Sequence, residues 1–261
     1  MDVREEIIMA STLDDVRLEE GLREVAAGFA RAVAGGDPEA VVPTCPEWPL
    51  RVLVGHIGQA YGYAARVVRK GEVPPVPDPW QAEPGAPAGW ETWLRESTED
   101  LIGAVRETGA DTERWTFLGP RPARFWLRRM LADTAVHHYD AAVTTGVAFE
   151  IAGDLAADVF AEGVEMLAAP GAETLKPELV ELRGRGERIG VRPRGMDGWV
   201  IIRTPGGIRY ERGPVEADVV LSGEMADLML VCSRRLPLDD ERVEVTGDGV
   251  LLEHWLARMA F

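Results

Sequence analysis

Apolar residues recur three and four apart through most of the first 145 positions, and short strand-like runs replace them only after about residue 175. Leu18, Leu22, Val25, Ala26, Phe29 and Val33 predict a helix from Thr12 to about Gly35, where "GGD" stops it. After the loop "PTCPEWP", Pro49 suits the first turn of a second helix, where its missing N–H is not needed. That helix runs to about Lys70 behind a stripe of Leu53, Ile57, Ala60, Tyr61, Ala64 and Val68. Six prolines between residues 71 and 89 make the next stretch a loop. Helices over 89–108 and 123–145 follow, and four amphipathic helices joined this way predict a bundle.

The pattern changes after "TTGVAFEIAGD". A helix over about 155–168 leads into "ELVELRG", "RIGVRP", "GWVIIRT", "GIRYERG" and "EADVVLSG", which read as strands separated by Gly and Pro at hairpin-like intervals. A helix over about 224–234, the short strand "RVEVTG" and the terminal helix "GVLLEHWLARM" close the chain. The expected architecture is an all-α domain over residues 1–150 followed by a smaller α+β domain over 151–261.

Composition narrows the function classes. A length of 261 residues suits two domains, and 46% apolar with 28% charged residues describes an ordinary globular chain. The net charge of −16 argues against nucleic acid or an anionic membrane as main partner, while leaving room for local Arg clusters around a small anion. All basic residues but Lys70 and Lys176 are Arg. No apolar run approaches the ~20 residues of a membrane span. The acidic start "MDVREEIIMASTLDD" lacks a secretory signal pattern, and Cys45 and Cys232, the only cysteines, are too few for a disulfide framework. Together these predict a cytoplasmic protein.

One segment breaks the apolar pattern. In "MLADTAVHHYD", residues 130–140, Asp133 and His137 lie four apart and so on one helical face. Burying them costs free energy unless a hydrogen bond, an ion pair or a metal ion compensates. His56, among Leu53, Ile57 and Ala60, is expected to point into the bundle. If the fourth helix turns the Asp133/His137 face inward, two imidazoles and a carboxylate converge, a set suited to Zn²⁺ or another divalent first-row metal with positions left open. Asp140 can orient His137, whereas His138 is rotated ~100° away and is the poorer candidate. A structural Asp–His hydrogen bond explains the same spacing, and both readings stand at this point.

"VPTCPEWPLRVLVGHIGQA" and "WTFLGPRPARFWLRRMLADTAVHHYDAAVTTG" resemble the mycothiol-dependent maleylpyruvate isomerase family, and "VEADVVLSGEMADLMLVCSRRLPLDDERVEVTGDGVLLEHWL" resembles its second-domain ending. The resemblance implies a DinB-like, metal-binding four-helix domain followed by a sterol-carrier-like α+β domain. It places the metal ligands on His56, Asp133 and His137, with Asp133 standing where the family usually has Glu. It also implies an active-site Arg in the second domain, matched best by Arg234, with Arg235 one residue away. Arg124, Arg128 and Arg129 lie just upstream of Asp133 and suit either bidentate contacts to carboxylates of substrate or thiol cofactor, or ion pairs at the surface and between helices. Cys45 has no neighbouring base in sequence and reads as a small packing residue.

The implied chemistry uses mycothiol as cosubstrate. A thiolate generated at the metal adds to a conjugated cis double bond, the resulting single bond rotates, and loss of the thiol gives the trans isomer. Where the substrate carries a leaving group, the same site performs S-transfer. The competing class is a small-ligand-binding or regulatory protein that keeps the fold without the chemistry.

Overall fold

The computed structural model describes residues 13–71 and 73–259, in two compact units. The segment behind the localisation expectation, residues 1–12, lies outside the described residues. Among those described, no helix is long and apolar enough to cross a membrane.

The first unit, Leu13–Leu155, is built on four long helices. They are α1 (Asp15–Val33), α2 (Leu50–Lys70), α3 (Trp90–Thr108) and α4 (Arg124–Thr145). Asp14 caps α1 by accepting from the Arg17 N–H. Gly71 and Gly146 end α2 and α4 at φ of +68° and +76°, a conformation open to glycine at little cost. α1 packs on α3 and α4, and α2 packs on the same two, so α4 runs between α1 and α2. Leu22, Phe29, Leu53, Ile57, Tyr61, Leu101 and Leu131 fill the centre with almost no exposed surface.

Two small hairpins join these helices. β1 (Val41–Val42) pairs antiparallel with β2 (Cys45–Pro49), and β3 (Glu113–Arg114) with β4 (Arg121–Pro122). The β2 residues were expected to be loop. Pro46 and Pro49 hold φ near that of extended chain, and a short edge strand tolerates their missing donors.

α5 (Gly153–Ala168) leads into the second unit, Ala156–Phe261. There α6 (Ala172–Leu175) precedes a five-stranded sheet of β5 (Arg188–Pro193), β6 (Gly198–Thr204), β7 (Gly207–Gly213), β8 (Val219–Gly223) and β9 (Val243–Gly247). Its order is β7-β6-β5-β8-β9, with β5 and β8 parallel and the other pairs antiparallel. α7 (Met225–Cys232) and α8 (Gly249–Met259) complete it. Trp199, Trp255, Leu252 and Leu221 are buried, and Phe160 of α5 meets the Trp199 ring edge-on at 5.0 Å. The chain is thus a helical bundle followed by a smaller unit of helices and sheet, the expected fold class.

One expected strand is absent. "ELVELRG" forms a 3-10 helix at Pro177–Leu182. Pro177 opens it, and the two buried side chains, Leu179 and Leu182, lie three apart, the 3-10 repeat rather than the strand alternation.

Candidate metal centre

α2 and α4 bring the centre together. The buried stripe of α2 leaves His56 on the flank facing α4, with about a quarter of its side chain exposed. On α4, Arg129, Asp133, His137 and Asp140 follow at spacings of four, four and three and form one polar stripe. Next to it, the Tyr61 hydroxyl and Thr134 Oγ1 share a buried hydrogen bond of 2.7 Å that links α2 to α4.

Pairs of these groups hold one another. His56 Nε2 lies 3.1 Å from Asp133 Oδ2, and Arg129 Nη2 lies 3.7 Å from Asp133 Oδ1. His137 Nδ1 is 2.8 Å from Oδ2 of Asp140, whose side chain is fully buried. Burial works against the Asp133 carboxylate, but the His56 hydrogen bond and the charges of His56, His137 and Arg129 outweigh it. They hold its pKa well below the usual carboxylate range, so Asp133 is ionised at neutral pH.

Donor atoms of His56, Asp133 and His137 all lie within 4.8 Å of one another. A cation about 2.0–2.2 Å from each donor needs them about 3–3.7 Å apart, so small side-chain movements close the set. With Nδ1 engaged by Asp140, His137 has Nε2 left for such a role, the usual arrangement of a carboxylate behind a metal-facing imidazole.

Two neighbours were not assigned to the centre from the sequence, Trp48 and Cys45, the latter read there as packing. Trp48 of β2 places its ring 5.2 Å from that of His56 and 6.1 Å from that of His137, and the two imidazoles stand nearly perpendicular at 5.1 Å. Cys45, on the same strand, has Sγ 3.8 Å from Asp140 Oδ2, so it belongs to a polar network and is more than packing. The one sequence signal for both is the proline-bracketed "CPEWP", which holds an extended segment beside α2.

Of the expected arginines, one reaches the centre. Arg124 pairs with Asp15 at 3.1 Å and with Asp111, the ion-pair reading of that residue. Arg128 is buried. Arg129 is the arginine seen to reach Asp133. Arg234 lies in the second unit just past α7, exposed, at a φ of +63°, the only non-glycine residue with positive φ among those described.

Comparison with known proteins agrees with this architecture. Residues 20–142 match the family described as mycothiol maleylpyruvate isomerase N-terminal domain. No curated protein matches in sequence. The crystal structure of the mycothiol-dependent maleylpyruvate isomerase is similar at a TM-score of 0.55 and 17% identity, covering 90% of this chain and 93% of that one. A histidine-to-alanine mutant of that enzyme is similar at 0.54, with the same identity and coverage. The helical unit therefore belongs to the family of mycothiol maleylpyruvate isomerase N-terminal domains, and the chain shares the fold of the solved enzyme from bundle to sheet.

Proposed function

We propose that this protein is a metal-dependent enzyme that uses a low-molecular-weight thiol, mycothiol, to isomerise a maleylpyruvate-like anion, with His56, Asp133 and His137 holding a divalent cation, Zn²⁺ foremost. The observation that carries the reading is the convergence of those three side chains from two helices, with an ionised carboxylate among them and a second carboxylate behind one imidazole. Bound there, the cation supplies Lewis acidity that favours the thiolate form of a thiol at neutral pH.

The protein's own groups do the rest. Asp140 accepts from His137 Nδ1–H and so fixes the tautomer with Nε2 turned outward. Arg129 balances the Asp133 charge and limits how far that carboxylate leans toward either histidine. Trp48 walls the two imidazoles with an apolar face suited to a flat conjugated chain. Arg234 is our candidate for a substrate carboxylate, since its guanidinium makes no ion pair or hydrogen bond among the described residues and its backbone sits in a conformation that costs energy to hold. Arg124 is the weakest of the earlier thiol-binding candidates because two carboxylates already occupy it. Transfer of the thiol to a substrate bearing a leaving group is the alternative outcome at the same centre.

The shorter Asp at position 133 favours a second reading, a protein that binds a small ligand without turning it over. Metal titration of the purified full chain separates the two. One equivalent of Zn²⁺ should bind, and His56→Ala or His137→Ala should each weaken it by more than about 100-fold, beyond what loss of an outer partner costs. Asp133→Glu should keep it. Zn²⁺-loaded protein should then show saturable mycothiol binding and thiol-dependent formation of the trans isomer. A metal affinity indifferent to both histidine replacements ends the enzymatic reading.

A further inference from the structure

Beside the first donor set lies another that shares one of its residues. Cys45 Sγ, His137 Nδ1 and Asp140 Oδ2 form a compact group, with Sγ–Oδ2 at 3.8 Å, Nδ1–Oδ2 at 2.8 Å and all donor atoms within 4.8 Å of one another. Asp140 is fully buried at its base, and Cys45 is half-buried on β2. The antiparallel register of Val42 with Cys45 and the prolines at 46 and 49 hold that strand in place. We propose that Cys45, His137 and Asp140 form a second cation site, preferring cations softer than Zn²⁺ such as Cd²⁺, that competes with the His56–Asp133–His137 set for the His137 ring.

Charge and ligand type support it. A thiolate and a carboxylate around a divalent cation make a neutral complex, which a buried position tolerates far better than a lone charge. Thiolate sulfur selects soft cations, whereas the first set offers only nitrogen and oxygen. The proton balance explains the competition. Binding releases the Cys45 thiol proton to solvent and moves the His137 ring proton from Nδ1 to Nε2. A neutral imidazole has one lone-pair nitrogen. With Nδ1 on the soft cation, Nε2 carries the proton and cannot donate to a cation at the first set. The site therefore acts as a soft-metal antagonist of the proposed centre, although its existence does not depend on that centre being catalytic.

Cd²⁺ titration of the metal-free full chain tests this through the ultraviolet charge-transfer band of a Cd²⁺–thiolate bond. Native protein and His56→Ala should both show a saturable band at one equivalent. Cys45→Ser should abolish it, and His137→Ala should weaken Cd²⁺ binding at least 10-fold. Cys232→Ser should leave the band intact, because that thiol is buried and burial pushes its pKa up. In native protein Cd²⁺ should also displace bound Zn²⁺, and in Cys45→Ser it should do so at least 10-fold less readily. Circular dichroism confirms that each variant is folded, and Cys45→Ala replaces Cys45→Ser should that one unfold. No band in native protein, a band that survives loss of Cys45, or one lost in His56→Ala overturns the proposal. Since His56→Ala disables only the first set, failure of the proposed function and failure of this site give different patterns.

Discussion

On the side of α4 that meets α2, His137 has a carboxylate on one ring nitrogen and the ring of His56 5.1 Å away, with Trp48 beyond. One residue on, His138 turns toward α1, packs against Gly28 and meets Phe149 edge-on at 4.9 Å, and its Nδ1 has no hydrogen-bond partner among the described residues. A rotation of ~100° about one helix separates a polar cluster from an apolar slot. The difference teaches that a histidine's chemistry is set by the helix it faces, because the same ring is a ligand candidate beside carboxylates and a desolvated liability beside a glycine.

Acid should break the two faces apart, with the largest effect. Burial, reinforced by the charge of Arg31, pushes the folded-state pKa of His138 down to about 4 from its ordinary 6.5. Between those values the unfolded chain binds more protons, so stability is lost as pH falls from about 6.5 toward 4 and then levels off. The loss is about 3 kcal/mol. The Asp133 carboxylate, with its pKa depressed, contributes stability above its ordinary 3.8 and adds nothing to that window. Urea unfolding at pH 7 and pH 4.5 should show the drop in native protein and largely remove it in His138→Leu. His137→Leu should keep the acid sensitivity and lose about 2–3 kcal/mol at pH 7, by stripping a hydrogen bond from buried Asp140.

A smaller effect tests the fit of the apolar slot. A Cβ at Gly28 would lie 2.5 Å from His138 Cε1, closer than real contacts allow, and the ring is hemmed in. Helix propensity favours Ala over Gly by about 1 kcal/mol, so a net loss in Gly28→Ala of about 1–2 kcal/mol, read by thermal unfolding, reports the clash. An unchanged or raised melting temperature would mean that His138 is not seated there.

The smallest effect sharpens the polar side. Tyr61→Phe removes a buried 2.7 Å bond and leaves the Thr134 hydroxyl without it, at about 1 kcal/mol. If that bond sets the rotation of α4 against α2, Zn²⁺ affinity falls along with stability. A loss of stability alone would confine the pair to packing.

Much of this was legible in the sequence, and the gaps have physical causes. The four long helices and the strands from Arg188 to Gly213 follow their repeats closely, because a period of 3.6 or 2 is written locally. "ELVELRG" misled because two leucines three apart fit more than one repeat over so short a run, and burial of both chose the 3-10 form. Arg124 and Arg129 looked alike as cations, and only the positions of Asp15, Asp111 and Asp133 told them apart.

By itself the sequence determined that Asp133 and His137 share a helical face, that Asp140 stands one turn beyond, and that a helical region precedes a sheet-bearing one. Those follow from spacing along one chain segment, where neighbours are fixed by the covalent path. Only the tertiary structure decided that His56 meets that face, that Trp48 and Cys45 close in from a hairpin, and that His138 falls into a slot lined by Gly28. Such contacts join residues dozens of positions apart, and they depend on how α4 is rotated between α1 and α2, which the burial of two apolar faces at once dictates and no local repeat encodes.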